Sequence, residues 1–182
     1  MTANITFSEA FEKYVNYLKD YKNSSPKTIA TYSSFIKQFH VFVKYQRNSF
    51  EVQVSSLTID DIHSYILHKK SEKSDSYIRK NKPLSPNTIF LHIAAIRSFF
   101  KYLNIQHWSD LNYVHIEQTS TIPPMVHTMT DEELHSLMQA PSMEPRPLIR
   151  IRNRIIMLLG YYCGLRAHEI LMVKFSDIPK NG

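Results

Sequence analysis

An arginine and a glutamate three positions apart, Arg166 and Glu169, follow directly on a glycine, Gly164, that closes a long apolar and basic stretch. A guanidinium is a planar fork of donors, and the groups that answer it are phosphates and carboxylates. Its setting sharpens the assignment. Ile151, Ile155, Leu158, Leu159 and Tyr162 recur at helical spacing and predict a helix over 148–162 with one buried face. Gly164 suits the residue after the helix end, where a positive φ is needed. Arg166 then opens a second short helix carrying Glu169, Ile170 and Val173. A cation so close behind an apolar helix is oddly placed for a surface charge, which makes Arg166 a candidate for a phosphate or carboxylate site.

A second group of residues lies upstream. Ser25-Pro26-Lys27-Thr28-Ile29 is echoed 60 residues later by Ser85-Pro86-Asn87-Thr88-Ile89. Serine as cap and proline at the first helical position start a helix. The N-terminus so made presents unpaired N–H groups and the positive end of the helix dipole, which together suit a phosphate. Ser24, Lys27 and Thr28 surround one such start, and Asn87 and Thr88 the other. Lys37, Arg97 and Lys101 fall off the apolar stripes of the two helices, and Arg79, Lys80 and Lys82 precede the second. Taken singly, each is an ordinary cap or a solvated charge.

Four helices must position these groups. Thr6 or Ser8 caps a helix running to about Tyr21, with Phe7, Phe11, Tyr14, Val15 and Leu18 on one stripe. The next runs from Pro26 to Val43 and buries Ile29, Tyr32, Ile36, Phe39 and Phe42. Residues 47–57 lack a helical stripe and are expected to form a loop. Thr58 and Asp61 make a capping box for a third helix whose Ile59, Ile62, Tyr65 and Ile66 face the core. Lys69 to Lys82 is polar and basic, and its middle is expected to be a solvated loop. The fourth helix, Pro86 to about Leu103, buries Ile89, Ile93, Ile96, Phe99, Phe100 and Leu103. Trp108 is expected to pack rather than stack on a base. Pro123-Pro124 gives 111–127 the chemistry of a linker. Thr130 and Glu133 then form a capping box for a helix through Leu134, Leu137 and Met138, which the prolines between Pro141 and Pro147 end.

Charge agrees with this division. Residues 1–110 hold 15 Lys and Arg against 9 Asp and Glu, whereas 111–182 hold 7 against 7. All of the net charge of +6 sits in the first part, which points to an acidic polymer as partner. No apolar run is long enough to span a bilayer, no signal-peptide pattern opens the chain, and no basic amphipathic stretch suits a membrane surface. The single cysteine, Cys163, excludes an internal disulfide framework and fits a reducing cytoplasm; it is read as a small core residue near a helix end. Nine scattered histidines with one cysteine offer no zinc spacing, and three isolated glycines offer no nucleotide-binding phosphate loop. No metal, cofactor or small-molecule substrate is expected.

Cys163-Gly-Leu-Arg166-Ala-His-Glu169-Ile-Leu, preceded by Arg-Asn-Arg-Ile-Ile-Met-Leu-Leu, resembles the first catalytic box of the tyrosine recombinases, the phage integrase or Xer-like family. Residues 5–103 resemble that family's core-binding, SAM-like domain through Thr28-Ile-Ala-Thr-Tyr32 and Thr88-Ile-Phe-Leu-His-Ile-Ala-Ala-Ile-Arg97-Ser-Phe-Phe-Lys101-Tyr. The resemblance implies a mainly α chain: a four-helix core-binding bundle over 1–110, a linker over 111–127, and over 128–182 the first helices of a truncated α+β catalytic domain. It implies that Arg166 meets the scissile phosphate with Glu169 in support, that the bundle clamps double-stranded DNA, and that full-length relatives self-associate on DNA. With the resemblance counted, the caps and cations as a set favour a DNA backbone.

The family's reaction is attack of a tyrosine on DNA phosphorus, giving a 3′-phosphotyrosyl link, with further arginine, lysine and histidine groups holding the charge. Only the box of Arg166 occurs in this sequence. Tyr161 and Tyr162 precede it and are read as packing residues, so no nucleophile is assigned and the chain alone is expected to be inactive. The expected role is therefore the DNA-binding part of a recombinase acting in the nucleoid. The alternative is a naturally short, non-catalytic DNA-binding protein of recombinase descent that occupies or regulates a recombination site.

Overall fold

The computed structural model describes residues 5–71, 83–118 and 128–177, with the side chain of Phe175 outside the description. Arg79, Lys80 and Lys82 lie outside the described residues. The chain is mainly helical, and no strand occurs among the described residues. It divides into two compact units, 1–123 and 124–182.

The first unit is built on α1 (Phe7–Asn16), α2 (Pro26–Gln46), α3 (Ile59–Ser71) and α4 (Pro86–Ile105). Local chemistry starts each of them. Thr6 and Glu9 close a reciprocal capping box on α1, and Thr58 and Asp61 do the same for α3. Ser25 and Ser85 cap α2 and α4 by accepting from the amides of Thr28 and Thr88. Each such cap contributes about 1 kcal/mol. Two stops come from residues that tolerate a left-handed backbone: Asn23, at φ 47°, follows α1, and Asn48, at φ 46°, follows α2. The predicted first helix reaches Tyr21 only as a wider π turn over Tyr17–Tyr21.

Aromatic rings fill the centre. Phe7, Tyr14, Phe39, Tyr65, Phe99 and Phe100 are fully buried, and edge contacts join Phe39 to Tyr65 and Phe99 to Phe100 at 5.3 and 6.1 Å. These geometries add to area burial because the positive ring edge meets the negative face. Phe35 lies 3.9 Å from His92, and Phe39 lies 6.5 Å from Phe100. These contacts pack the middle of α2 against the middle of α4.

Two sequence readings change here. The 47–57 segment is more than a surface loop: Val52, Val54 and Leu57 are buried, Thr6 bridges Gln53, and the Phe7 amide donates to the Val52 carbonyl at 2.7 Å. An apolar residue at every second position was the signal for this strand-like edge. Lys69, near the end of α3, is buried, donates to Gln38 at 2.8 Å and lies over the Tyr65 ring; the middle of 69–82, expected to be a solvated loop, lies outside the described residues. The bundle also reaches past residue 110. Ile116 is buried in its core, and a 3-10 turn over Tyr113–His115 packs on α4. Asn104 secures that return by donating to the carbonyls of Ser109 and Leu111 and accepting from the Tyr113 amide. Trp108 packs, as expected, edge-on to Tyr102 and beneath Lys13.

The second unit contains α5 (Asp131–Gln139), α6 (Pro147–Tyr162) and α7 (Ala167–Met172). Thr130 and Glu133 close the predicted capping box on α5. Helix α6 packs differently from its pattern. Its Asn153, Ile156 and Met157 border a pocket with Leu137, Ala140 and Pro141, while Gly160 faces Ile170 of α7. The predicted apolar stripe is only partly covered: Leu158 and Leu159 are half-buried, but Ile151, Ile155 and Tyr162 are 56%, 50% and 72% exposed. Tyr161 is exposed too and meets only the Tyr162 ring, edge to face at 4.9 Å, among the described aromatic contacts. Cys163 is likewise exposed rather than a core residue. Periodicity marks which side of a helix is apolar, but the elements present decide which side is covered.

Candidate nucleic-acid interface

The two helix starts are near-identical in detail. At α2 the Ser25 hydroxyl receives the Thr28 amide at 3.1 Å and shares a 2.8 Å hydrogen bond with the Thr28 hydroxyl. At α4, Ser85 receives the Thr88 amide at 3.2 Å and shares a 2.8 Å bond with its hydroxyl. Proline at the first helical position has no N–H and the serine cap takes the third residue's amide, so the amide left to present at each start is that of the second residue. Lys27 and Asn87, the second residues of their helices, are exposed. Ser24 is half-buried, and its amide is spent on the Leu18 carbonyl at 3.0 Å, so only its hydroxyl remains for a ligand.

The cations behind them differ in freedom. Lys37 is exposed, its ammonium 5.6 Å from the centre of the Phe11 ring. Arg97 is half-buried and donates to the Ile116 carbonyl at 2.6 Å, with its guanidinium over the Tyr113 ring. Lys101, one turn further along α4, is exposed and flanks the same ring at 5.7 Å. Arg97 therefore has a structural task that its sequence did not disclose: it fastens the segment after α4. A long-range bond to a backbone carbonyl leaves no local pattern to read.

In the second unit, Gly164 sits at φ 63° and the amides of Cys163 and Leu165 both turn back to the Leu159 carbonyl. That stop places Arg166 as the N-cap of α7. Glu169 reaches back to it twice, accepting from the Arg166 amide at 2.7 Å and from its guanidinium at 3.1 Å. These two bonds, backbone first, hold the Glu169 carboxyl below the ordinary glutamate range, and His168 adds to the effect. The Arg166 side chain is 77% exposed, so most of its fork remains open to solvent. Because the backbone bond outlasts any substitution at 166, Arg166→Ala should leave α7 capped. A carbon-detected NMR titration of Glu169 should still show a depressed pKa in that variant; a return to the ordinary value would mean the guanidinium carries the geometry. Since the folded pKa is depressed, this contact adds stability above the unfolded pKa and loses it as pH falls through the folded one.

Among the described residues no three His, Cys, Asp or Glu side chains gather to hold a metal ion, and no helix is long and apolar enough to cross a membrane.

The family description "Phage integrase, N-terminal SAM-like domain" matches residues 8–110. The chain is 27% identical over 175 residues to tyrosine recombinase XerC of Roseiflexus sp. (strain RS-1), covering 94% of this chain and 50% of that one. It is 25% identical to tyrosine recombinase XerD of Halalkalibacterium halodurans, covering 95% and 54% respectively. XerC of Chlamydia muridarum is 25% identical over 93% of this chain and 55% of its own length. The chain thus spans about half the length of the curated relatives it matches. No solved structure matches. The match over the helical bundle, with the recombinases aligned along nearly the whole chain, places this protein in the phage integrase family of tyrosine recombinases.

Proposed function

We propose that this chain is the DNA-binding portion of a site-specific tyrosine recombinase, with a bundle that grips duplex DNA and a second unit that brings Arg166 to the scissile phosphate. One observation carries the reading: two packed helices of the bundle begin with the same Ser-Pro-x-Thr device. Each N-terminus offers the amide of its second residue and the positive end of the helix dipole, and with Lys27, Thr28, Asn87 and Thr88 around them the two starts suit backbone phosphates. Lys37, Lys101 and part of Arg97 extend the positive surface, and Arg79, Lys80 and Lys82 precede α4 in sequence. Glu169 orients Arg166 from the N-cap of α7. Strand cleavage through a 3′-phosphotyrosyl link needs a nucleophile that none of these residues supplies. The setting is cytoplasmic, with DNA as partner and self-association on DNA, and without membrane, cofactor or small-molecule substrate.

Fluorescence anisotropy with unrelated duplexes tests the grip. Lys101→Ala and Lys27→Ala should each weaken binding about tenfold at low salt, equally across sequences, and each should lower the salt slope by about one. Arg166→Ala should change affinity little. Arg97→Ala should weaken binding and also lower the melting temperature, since it frees Ile116, whereas Lys101→Ala should leave stability nearly unchanged. Affinity untouched by both lysine changes would sink the reading. The intact mass from the source cell then bears on the catalytic part: a value near 21.4 kDa would favour a regulatory DNA-binding protein over an enzyme.

A further inference from the structure

The Arg97 guanidinium has two edges, and the fold uses one. Its Nη1 donates to the Ile116 carbonyl at 2.6 Å, and its plane lies over the Tyr113 ring at 5.6 Å. Among the described residues its Nε and Nη2 have no hydrogen-bond partner. Those two N–H groups form the other edge, and a two-donor edge matches two oxygens of a phosphate. Lys101, one turn further along α4, is exposed and lies 5.7 Å from the centre of the same ring. Among the described residues neither cation is in an ion pair. Like charges four residues apart on a helix repel, so an anion between them offsets a cost that the fold otherwise carries.

The carbonyl end of that bond matters as much. Ile116 is buried and borders a cavity with Ile62 and Ile66 of α3 and Ile93 of α4. Few bonds hold the turn that carries it. The Tyr113 amide donates to Asn104, the His115 amide to the Asn112 carbonyl and the Ile116 amide to the Tyr113 carbonyl, at 3.0, 3.1 and 3.2 Å. Val114, His115 and Glu117 are exposed, so this return opens more easily than the bundle it closes. We propose that Arg97 couples DNA binding to the return: its Nε–Nη2 edge, with Lys101, takes a phosphate of duplex DNA while Nη1 keeps the Ile116 carbonyl. Bound DNA then tightens residues 111–118 onto the bundle. This rests on the DNA reading and adds to it the ordering of a segment remote from the phosphate. With one bond, the guanidinium plane can swing and release the carbonyl; with a phosphate on the second edge, the same swing breaks both contacts. Such coupling is reciprocal, so whatever loosens the return also weakens DNA binding.

Hydrogen exchange of the full chain, with and without a saturating duplex at low salt, tests the coupling. The amides of Tyr113, His115 and Ile116 should exchange about tenfold more slowly with DNA bound. The turn amides of Asn48 and Ser49, which donate to the Tyr45 and Lys44 carbonyls, should not change. Arg97→Lys keeps the charge but not the second edge, so it should bind duplex within about threefold of the wild-type chain and lose the added protection. Ile116→Ala removes no charge and meets no phosphate, yet it should weaken duplex affinity about threefold. A merely structural Arg97 would lower the melting temperature when changed, but exchange in the wild-type chain would then be indifferent to DNA. Because that exchange is read on the wild-type chain, a variant that fails to fold does not blunt the test. Duplex bound with no slowing at 113–116 overturns the coupling and leaves the DNA reading standing. Faster exchange there means that phosphate draws Arg97 away from Ile116, and it overturns the coupling too. Protection that persists in Arg97→Lys assigns the ordering to another contact and rejects the proposal. A chain that binds no duplex removes both readings at once.

Discussion

Duplex DNA held at about 50 mM salt should be almost wholly released at about 200 mM, with affinity falling about 10³-fold for some six phosphate contacts. The number follows from the residues. Lys27, Lys37, Arg97 and Lys101 are the described cations of the proposed surface, and Arg79, Lys80 and Lys82 add three more in sequence. Each phosphate neutralised releases condensed counterions, at a slope of about −0.9 per contact. The reading needs this slope, because the proposed contacts are all to phosphate and none to a base edge. Anisotropy titrations at four salt concentrations with two unrelated duplexes measure it directly. Parallel, steep lines for both duplexes are expected. A flat line would deny the phosphate contacts, and the helix-start reading would fall with them.

Much of the fold was legible because its starting signals are local. Thr6 with Glu9, Thr58 with Asp61 and Thr130 with Glu133 bond across three residues, and Ser25 and Ser85 bond their helices' third amides. Bonds of that range are written in adjacent positions, so they survive any tertiary arrangement. The α4 stripe was legible for another reason: the helix is apolar on nearly every side, and nine of its residues are buried. What escaped the sequence depends on distant partners. Lys69 is buried only because Gln38 and Tyr65 stand opposite it. Arg97 is tied to a carbonyl nineteen residues away. The α6 stripe was read as buried because apolar periodicity carries no information about whether a covering element is supplied. In the candidate site, the contact between Arg166 and Glu169 is again local, spanning three residues.

Phe99→Ala should cost the bundle about 4 kcal/mol, a large part of the 5–15 kcal/mol that holds a domain of this size together. Phe99 is fully buried and its ring meets Phe7, Tyr14 and Phe100, at centroid distances of 5.1, 5.3 and 6.1 Å. Truncation removes three aromatic contacts at once and opens a cavity between α1 and α4 that rigid neighbouring rings cannot fill. Trp108 is the chain's single tryptophan and packs on Tyr102 of α4, so its fluorescence reports the bundle alone. The urea midpoint by that signal should drop by about 2 M. Phe50→Ala is the control: the ring is 95% exposed, and its loss should change stability by less than about 0.5 kcal/mol. In the second unit, Ile155→Ala should likewise cost little by circular dichroism, although Ile155 lies on the more regular apolar stripe. Should Ile155→Ala prove as damaging as Phe99→Ala, the outward side of α6 would have to be covered in solution. Equal and small effects of Phe99→Ala and Phe50→Ala would instead deny that the aromatic centre is the core on which both helix starts are mounted.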